Sequence, residues 1–210
     1  RYMELDNELD YIPSKENILL SGFHNTTKAS GYYSADVTKE NNPQKLIKGN
    51  YRYYTPKKAK EADQVIWRRS SAEDFPNLFT STLDFDKPQQ VSDANPQQKE
   101  YNWATVELVK WTTTEGTTEE GLLYKPENFD PNKKYPMMVY FYRLSSDGLH
   151  SHRVPKPSRS VINPTFYASN GYLVFIPNIR YKEGYPGESA YNYVVSGTLS
   201  LVEKYPYIDK

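Results

Sequence analysis

The sequence predicts a β-rich α/β chain in two parts, an all-β first half made of a repeated unit and an α/β second half. Three observations carry this. Segments of residues 18–47 recur farther along the chain at offsets of about 45 to 47 residues, a spacing in the range of propeller blades. Two short apolar runs, at 135–142 and 172–177, flank a segment that closes on Gly171, which is the pattern of a βαβ unit. Finally, there are 20 tyrosines among 210 residues, and such bulky side chains suit a pleated, half-buried surface. The 15 prolines and 10 glycines supply the turns between strands.

The repeat reads as follows. I-L-L-S-G-F at 18–23 matches V-I-W-R-R-S at 65–70. G-Y-Y-S-A-D at 31–36 matches N-L-F-T-S-T at 77–82, and P-Q at 43–44 matches P-Q at 88–89. Strand, polar hairpin, strand, loop and short strand is the grammar of a propeller blade. Two units cannot close a ring of roughly four to eight blades, so residues 1–101 are expected to be the terminal blades of a larger β-propeller. A pair of unrelated meanders is the alternative. The charged stretch 57–62 reads as a solvated connection, and the polar stretch 84–100 as an outer edge and exit linker.

From residue 102 the grammar changes. Residues 107–111 and 121–126 read as a hairpin around a polar turn, and 128–134 as a loop rich in turn residues. The apolar run from 135 and that at 172–177 read as buried strands, with a glycine-capped helix end between them. After Gly187, Tyr191, Val194, Val195, Thr198, Leu199 and Val202 recur at helical spacing and predict an amphipathic helix with these residues on its apolar face. Residues 205–210 read as a loop.

Composition excludes several classes of function. Twenty-six basic residues balance 26 acidic ones, so no net field draws the chain to nucleic acid. No run approaches the ~18 apolar residues of a membrane span. The absence of cysteine excludes a disulfide framework, a thiolate zinc site and a cysteine nucleophile. His150-Ser151-His152 offers two imidazoles without further ligands at metal-site spacing, so no metal is expected, and isolated His24 reads as a surface residue.

Two stretches, W-T-T-T-E-G-T-T-E-E-G-L-L-Y-K-P-E-N-F-D-P-N-K-K-Y-P-M-M-V-Y-F-Y and Y-L-V-F-I-P-N-I-R-Y-K-E-G-Y-P-G-E-S-A-Y, resemble the catalytic domain of the prolyl oligopeptidase family of serine peptidases, which includes the dipeptidyl peptidases. The resemblance implies that residues 102–210 are the N-terminal part of an α/β-hydrolase domain. It further implies a peptide substrate, a Ser-Asp-His triad that needs no cofactor, and a periplasmic or secreted location. No oligomeric state follows from it. The nucleophile elbow of such domains is G-x-S-x-G, and serine, acid and histidine follow in that chain order. No such pentapeptide is present, so the nucleophile, acid and histidine are all expected beyond residue 210, and this stretch alone is expected to be inactive. The nearest imitation is G-E-S-A-Y at 187–191, which follows a glycine-proline turn rather than an apolar strand, and Ser189 therefore reads as a helix-start residue.

One catalytic group of the family falls within the chain. Matching Y-P-M-M-V-Y-F-Y to the family pattern puts Tyr142 at the tyrosine that helps form the oxyanion hole, with Tyr140 as a slipped register and simple edge packing as the structural alternative. Arg143 and Leu144 stand where many relatives have small residues, a departure that bears on the second oxyanion donor. Arg180, at the carboxyl end of the second buried strand, reads as an arginine that pairs with nearby acids, or as a substrate contact. A non-catalytic, propeller-type protein-binding module is the alternative to the peptidase reading.

Overall fold

The computed structural model describes residues 1–5, 11–12 and 17–209. It forms two compact units, Arg1–Pro96 with His150–His152, and Gln97–Leu149 with Arg153–Lys210.

The first unit is made of antiparallel sheets. Strands β1 (Asn17–Phe23), β2 (Ser30–Asp36) and β3 (Gln44–Gly49) form a meander, and Tyr2 bridges to Leu20 at its free edge. A second sheet holds β4 (Arg52–Tyr53), β5 (Lys57–Lys58), β6 (Val65–Ser70), β7 (Asn77–Ser81) and β8 (Gln89–Gln90). The repeat has a direct structural image: β1-β2-β3 and β6-β7-β8 follow the same antiparallel order. Leu19, Tyr32, Val65, Trp67, Phe79 and Phe85 make the core. Its centre is aromatic, with the Tyr32 and Trp67 rings 4.7 and 5.1 Å from Phe85. The buried Tyr32 phenol donates to the carbonyl of Tyr54, and burial raises its pKa.

Two local expectations are corrected. Lys57 and Lys58 are not a free connection but a short strand paired with Ile66 and Val65; their side chains remain exposed, so composition masked the pairing. Phe85, inside the supposed outer edge, is core, and it sits at φ 57°. Burial of a large ring outweighs a backbone region that bulky residues rarely adopt.

The second unit has helices on both faces of one sheet. Strands β9 (Ala104–Thr112) and β10 (Thr118–Pro126) form the hairpin, followed by β11 (Met137–Val139), helix α1 (Pro164–Ser169), β12 (Leu173–Pro177) and helix α2 (Pro186–Lys204). The sheet order is β11-β12-β10-β9. The β11–β12 pair is parallel, with Met138 opposite Val174, while β10 runs antiparallel to β12. Asn163 caps α1 by accepting from the Phe166 N–H at 3.0 Å, and Gly171, at φ 88°, ends it.

Alternation splits the core. Leu122, Tyr124, Val174 and Ile176 pack with Ala168 of α1, while Leu123, Leu173 and Phe175 pack with Trp111 and with Leu201 of α2. Every residue of β12 is buried, as expected for a strand covered on both faces. No helix among the described residues is long and apolar enough to cross a membrane.

The face of α2 differs from the expectation. Tyr191 and Leu199 are 69% and 63% exposed, whereas Ser189, Asn192, Tyr193, Ser196, Gly197 and Leu201 are buried. The reason is volume. The sheet presents Trp111 and Phe175, whose rings meet edge to face at 5.4 Å, so the helix must offer small residues in return. Trp111 Nε1 donates to Ser196 Oγ at 3.1 Å, and the Asn192 side-chain oxygen accepts from the Thr114 N–H at 3.1 Å. The segment after α2 also differs. Tyr207 and Ile208 are buried, and Ile208 makes a parallel bridge to Tyr135; Lys210 lies outside the described residues.

Two stability predictions follow from this packing. A Cβ on Gly197 would lie 2.9 Å from the Trp111 ring and 3.0 Å from that of Phe175. Both rings are buried, so overpacking should outweigh the helix-propensity gain of about 1 kcal/mol. Gly197→Ala is expected to lower stability by a net ~1–2 kcal/mol in urea unfolding. In the first unit, burial lowers the pKa of His152, with Asp74 opposing, and its ring meets Phe75 edge-on at 5.3 Å. The folded state then binds this proton less readily than the unfolded chain, so stability is full above about pH 6.5 and is lost as pH falls below it. Thermal unfolding followed from pH 8 to pH 5 should show that loss, and His152→Phe should flatten it.

Candidate functional site

The sheet of the second unit ends in a cleft of about 860 Å³ lined by Phe141, Tyr142, Arg143, Leu144, Ile179, Arg180, Tyr181, Pro186, Gly187 and Ala190. It lies where β11 and β12 end and α2 begins, the place where open α/β sheets bind ligands.

Strand geometry decides which tyrosine reaches it. The Tyr140 N–H still bonds the Phe175 carbonyl at 3.0 Å, and its side chain packs against the Ala104–Leu122–Val174 cluster. Tyr142 is two residues past that last rung, and its side chain is 79% exposed at the cleft. Of the two registers considered, Tyr142 is the one among the residues lining the cleft.

The loop after β11 is fastened by the segment after β12. The Tyr181 hydroxyl donates to the Tyr142 carbonyl at 2.8 Å, and the Ile179 N–H donates to the Arg143 carbonyl at 3.0 Å. The Asn178 side-chain oxygen accepts from the N–H groups of Ser145 and Ser146 at 2.7 and 3.0 Å. Its Nδ2 donates to Ser146 Oγ, which in turn donates to Glu120 Oε1, both at 2.8 Å. Sequence reading missed this network. A signal was present in the polar Asn178 directly after a wholly apolar strand, and in the Glu119-Glu120 pair opening another.

Arg180 does pair with an acid. Its Nε lies 2.6 Å from Glu119 Oε2; the carboxylate is 3% exposed and the arginine side chain 60%. The guanidinium therefore neutralises a buried carboxylate and still lines the cleft. Burial raises the pKa of nearby Tyr193, the Glu119 carboxylate adds to the effect, and Arg180 opposes it.

The remaining candidates make local structural bonds. Ser189 is buried in the first turn of α2, accepting from the Lys182 N–H at 3.0 Å and donating to the Tyr185 carbonyl at 2.8 Å. That is the bonding of a helix-start residue. In the first unit, His150 Nε2 lies 2.9 Å from the Thr27 carbonyl, and His24 Nδ1 accepts from the Thr27 N–H at 3.1 Å and fastens a turn. No group of three or more His, Cys, Asp or Glu occurs among the described residues in a form that could hold a metal. The described lining of the cleft thus includes two tyrosines, two arginines and a phenylalanine. No serine or histidine is among the lining residues.

No protein-family model matches the chain. Human dipeptidyl peptidase 8 is 28% identical over 159 residues, which cover 69% of this chain and 16% of that protein. Among solved structures, the AtxE2 isopeptidase in its apo form is 13% identical with a TM-score of 0.64, over 93% of this chain and 31% of its own. Dipeptidyl peptidase 4 of Porphyromonas gingivalis is 15% identical with a TM-score of 0.61, over 94% and 29%. A post-proline cleaving enzyme of Rickettsia typhi is 13% identical with a TM-score of 0.56, over 93% and 29%. At these identities the likeness is one of fold. The chain spans about a sixth of the curated relative and about three tenths of each solved structure.

Removing Arg180 should expose its role as a counter-ion. Arg180→Ala leaves a buried carboxylate without its partner, a loss of about 1–3 kcal/mol for a pair with one exposed member. Urea unfolding at neutral pH should show that loss as a lower midpoint with an unchanged slope.

Proposed function

We propose that the chain is part of a serine peptidase of the prolyl oligopeptidase family. In this reading the first unit is a pair of terminal propeller blades, and the second is the opening half of an α/β-hydrolase domain. The observation that carries it is the parallel bridge between Tyr135 and Ile208. The Tyr135 N–H donates to the Tyr207 carbonyl and the Asp209 N–H to the Tyr135 carbonyl, both at 2.9 Å. These bonds start a new parallel strand on the outer side of β11. Continued in register, that strand advances beside β11 and draws level with Tyr142 about seven residues past Ile208, since a ladder advances one residue per residue. A nucleophile elbow at its end would stand beside the Tyr142 phenol.

The chemistry is acyl transfer. The serine Oγ attacks the scissile carbonyl while a histidine takes its proton; the histidine returns that proton to the leaving amine, and water then hydrolyses the acyl-enzyme. Tyr142 donates its O–H to the oxygen that becomes negative, where a fixed donor acts more strongly than water would. Arg180, anchored through one nitrogen by Glu119, contacts the peptide from the cleft wall. The names of the similar proteins support peptide-bond cleavage as the shared chemistry.

The test compares the 210-residue chain with a polypeptide extended through the elbow and triad, both on aminoacyl-prolyl chromogenic peptides. The short chain is expected to give no turnover and the long one to turn over. In the long one, Tyr142→Phe should lower kcat by about 10²–10³-fold with KM little changed. Turnover by the short chain, or an unchanged kcat in Tyr142→Phe, overturns the proposal.

A further inference from the structure

We infer that Tyr181 and Asn178 are positioning residues for the Tyr142 phenol; the inference rests on Tyr142 being the oxyanion donor. The Tyr142 side chain is mostly exposed, so packing does not hold it. Its direction must be set by the backbone that carries it, and that backbone is fastened by the segment after β12.

Among the described residues, the main-chain groups of 140–146 that bond to another segment bond to residues 175–181. Phe175 and Ile179 hold the loop through main-chain groups at Tyr140 and Arg143, while Tyr181 and Asn178 hold it through side chains at Tyr142, Ser145 and Ser146. The orientation of the Asn178 amide is itself determined. Two N–H groups need an acceptor, so Oδ1 must face them. That leaves Nδ2 to donate to Ser146 Oγ, whose proton is directed to Glu120 Oε1. Asn178 and Ser146 are each 2% exposed, and a satisfied buried network of this kind is stiff. Tyr181 adds the only side-chain bond made to the Tyr142 backbone itself among the described residues. Residues that lock the group beneath a catalytic donor matter because a displacement of about 1 Å can cost up to ~10²-fold in rate.

The experiment is a double-mutant cycle on the extended polypeptide described above, read as kcat and KM separately. Tyr181→Phe deletes one oxygen from a half-exposed ring and should leave the fold intact, as thermal unfolding would verify. It is expected to lower kcat about 5–10-fold, the size of one hydrogen bond, while KM changes by less than roughly twofold. In a Tyr142→Phe background the same substitution should have no further effect, because residues that act through one group are not additive. Asn178→Ala should show the same split and the same loss of effect. An unchanged kcat in Tyr181→Phe, or equal losses in both backgrounds, overturns the inference while Tyr142 keeps its role. An unchanged kcat in Tyr142→Phe alone overturns the reading of Tyr142, and the inference falls with it.

Discussion

Strand β12 is the constraint on which the second unit depends. All five of its residues are buried, and a backbone so enclosed must find partners on both sides. It finds β11 in parallel and β10 in antiparallel arrangement. With both neighbours fixed, the place where β12 ends is fixed too, and Asn178 emerges at the point from which it reaches back to the loop of Tyr142. Burial in the middle of the sheet thus governs geometry at its rim. The same strand divides the core, sending Val174 and Ile176 to one helix and Leu173 and Phe175 to the other.

Much of this was legible in the sequence because it rests on local periodicity. The apolar runs, the turn residues between β9 and β10, and the glycine after α1 each carry their own signal. The repeated unit was legible for the same reason, since equivalent strands recur at one spacing. The buried face of α2 was not. Hydropathy ranked Tyr191 and Leu199 as core residues, but the helix meets large rings on the sheet, and the room left there fits serine and glycine. A pattern on one element does not reveal the volume supplied by its partner. Residues 207–208 were read as a loop because a first strand rung is too short to show any period.

Little of the candidate site rests on local periodicity. Tyr142 came from matching its stretch to a family pattern; Arg180 was expected to pair with nearby acids, and the acid it meets, Glu119, lies 61 positions away. The Glu120–Ser146–Asn178 network joins residues 26 and 32 positions apart, and no spacing rule links them. Such contacts depend on which strands lie side by side, which the topology supplies and the periodicity does not. The cleft itself is a property of three separate chain segments that converge.

The contact of Gly197 with Trp111 and Phe175 has an evolutionary consequence. Bulk on the sheet and its absence on the helix form one shared allotment of space. Drift at any of the three positions is then tied to the other two: a larger residue at 197 becomes tolerable only after a ring at 111 or 175 has shrunk, and the order in which such changes arise is restricted. Lineages that carry this packing should therefore exchange these residues together, even though 86 positions separate the first from the last.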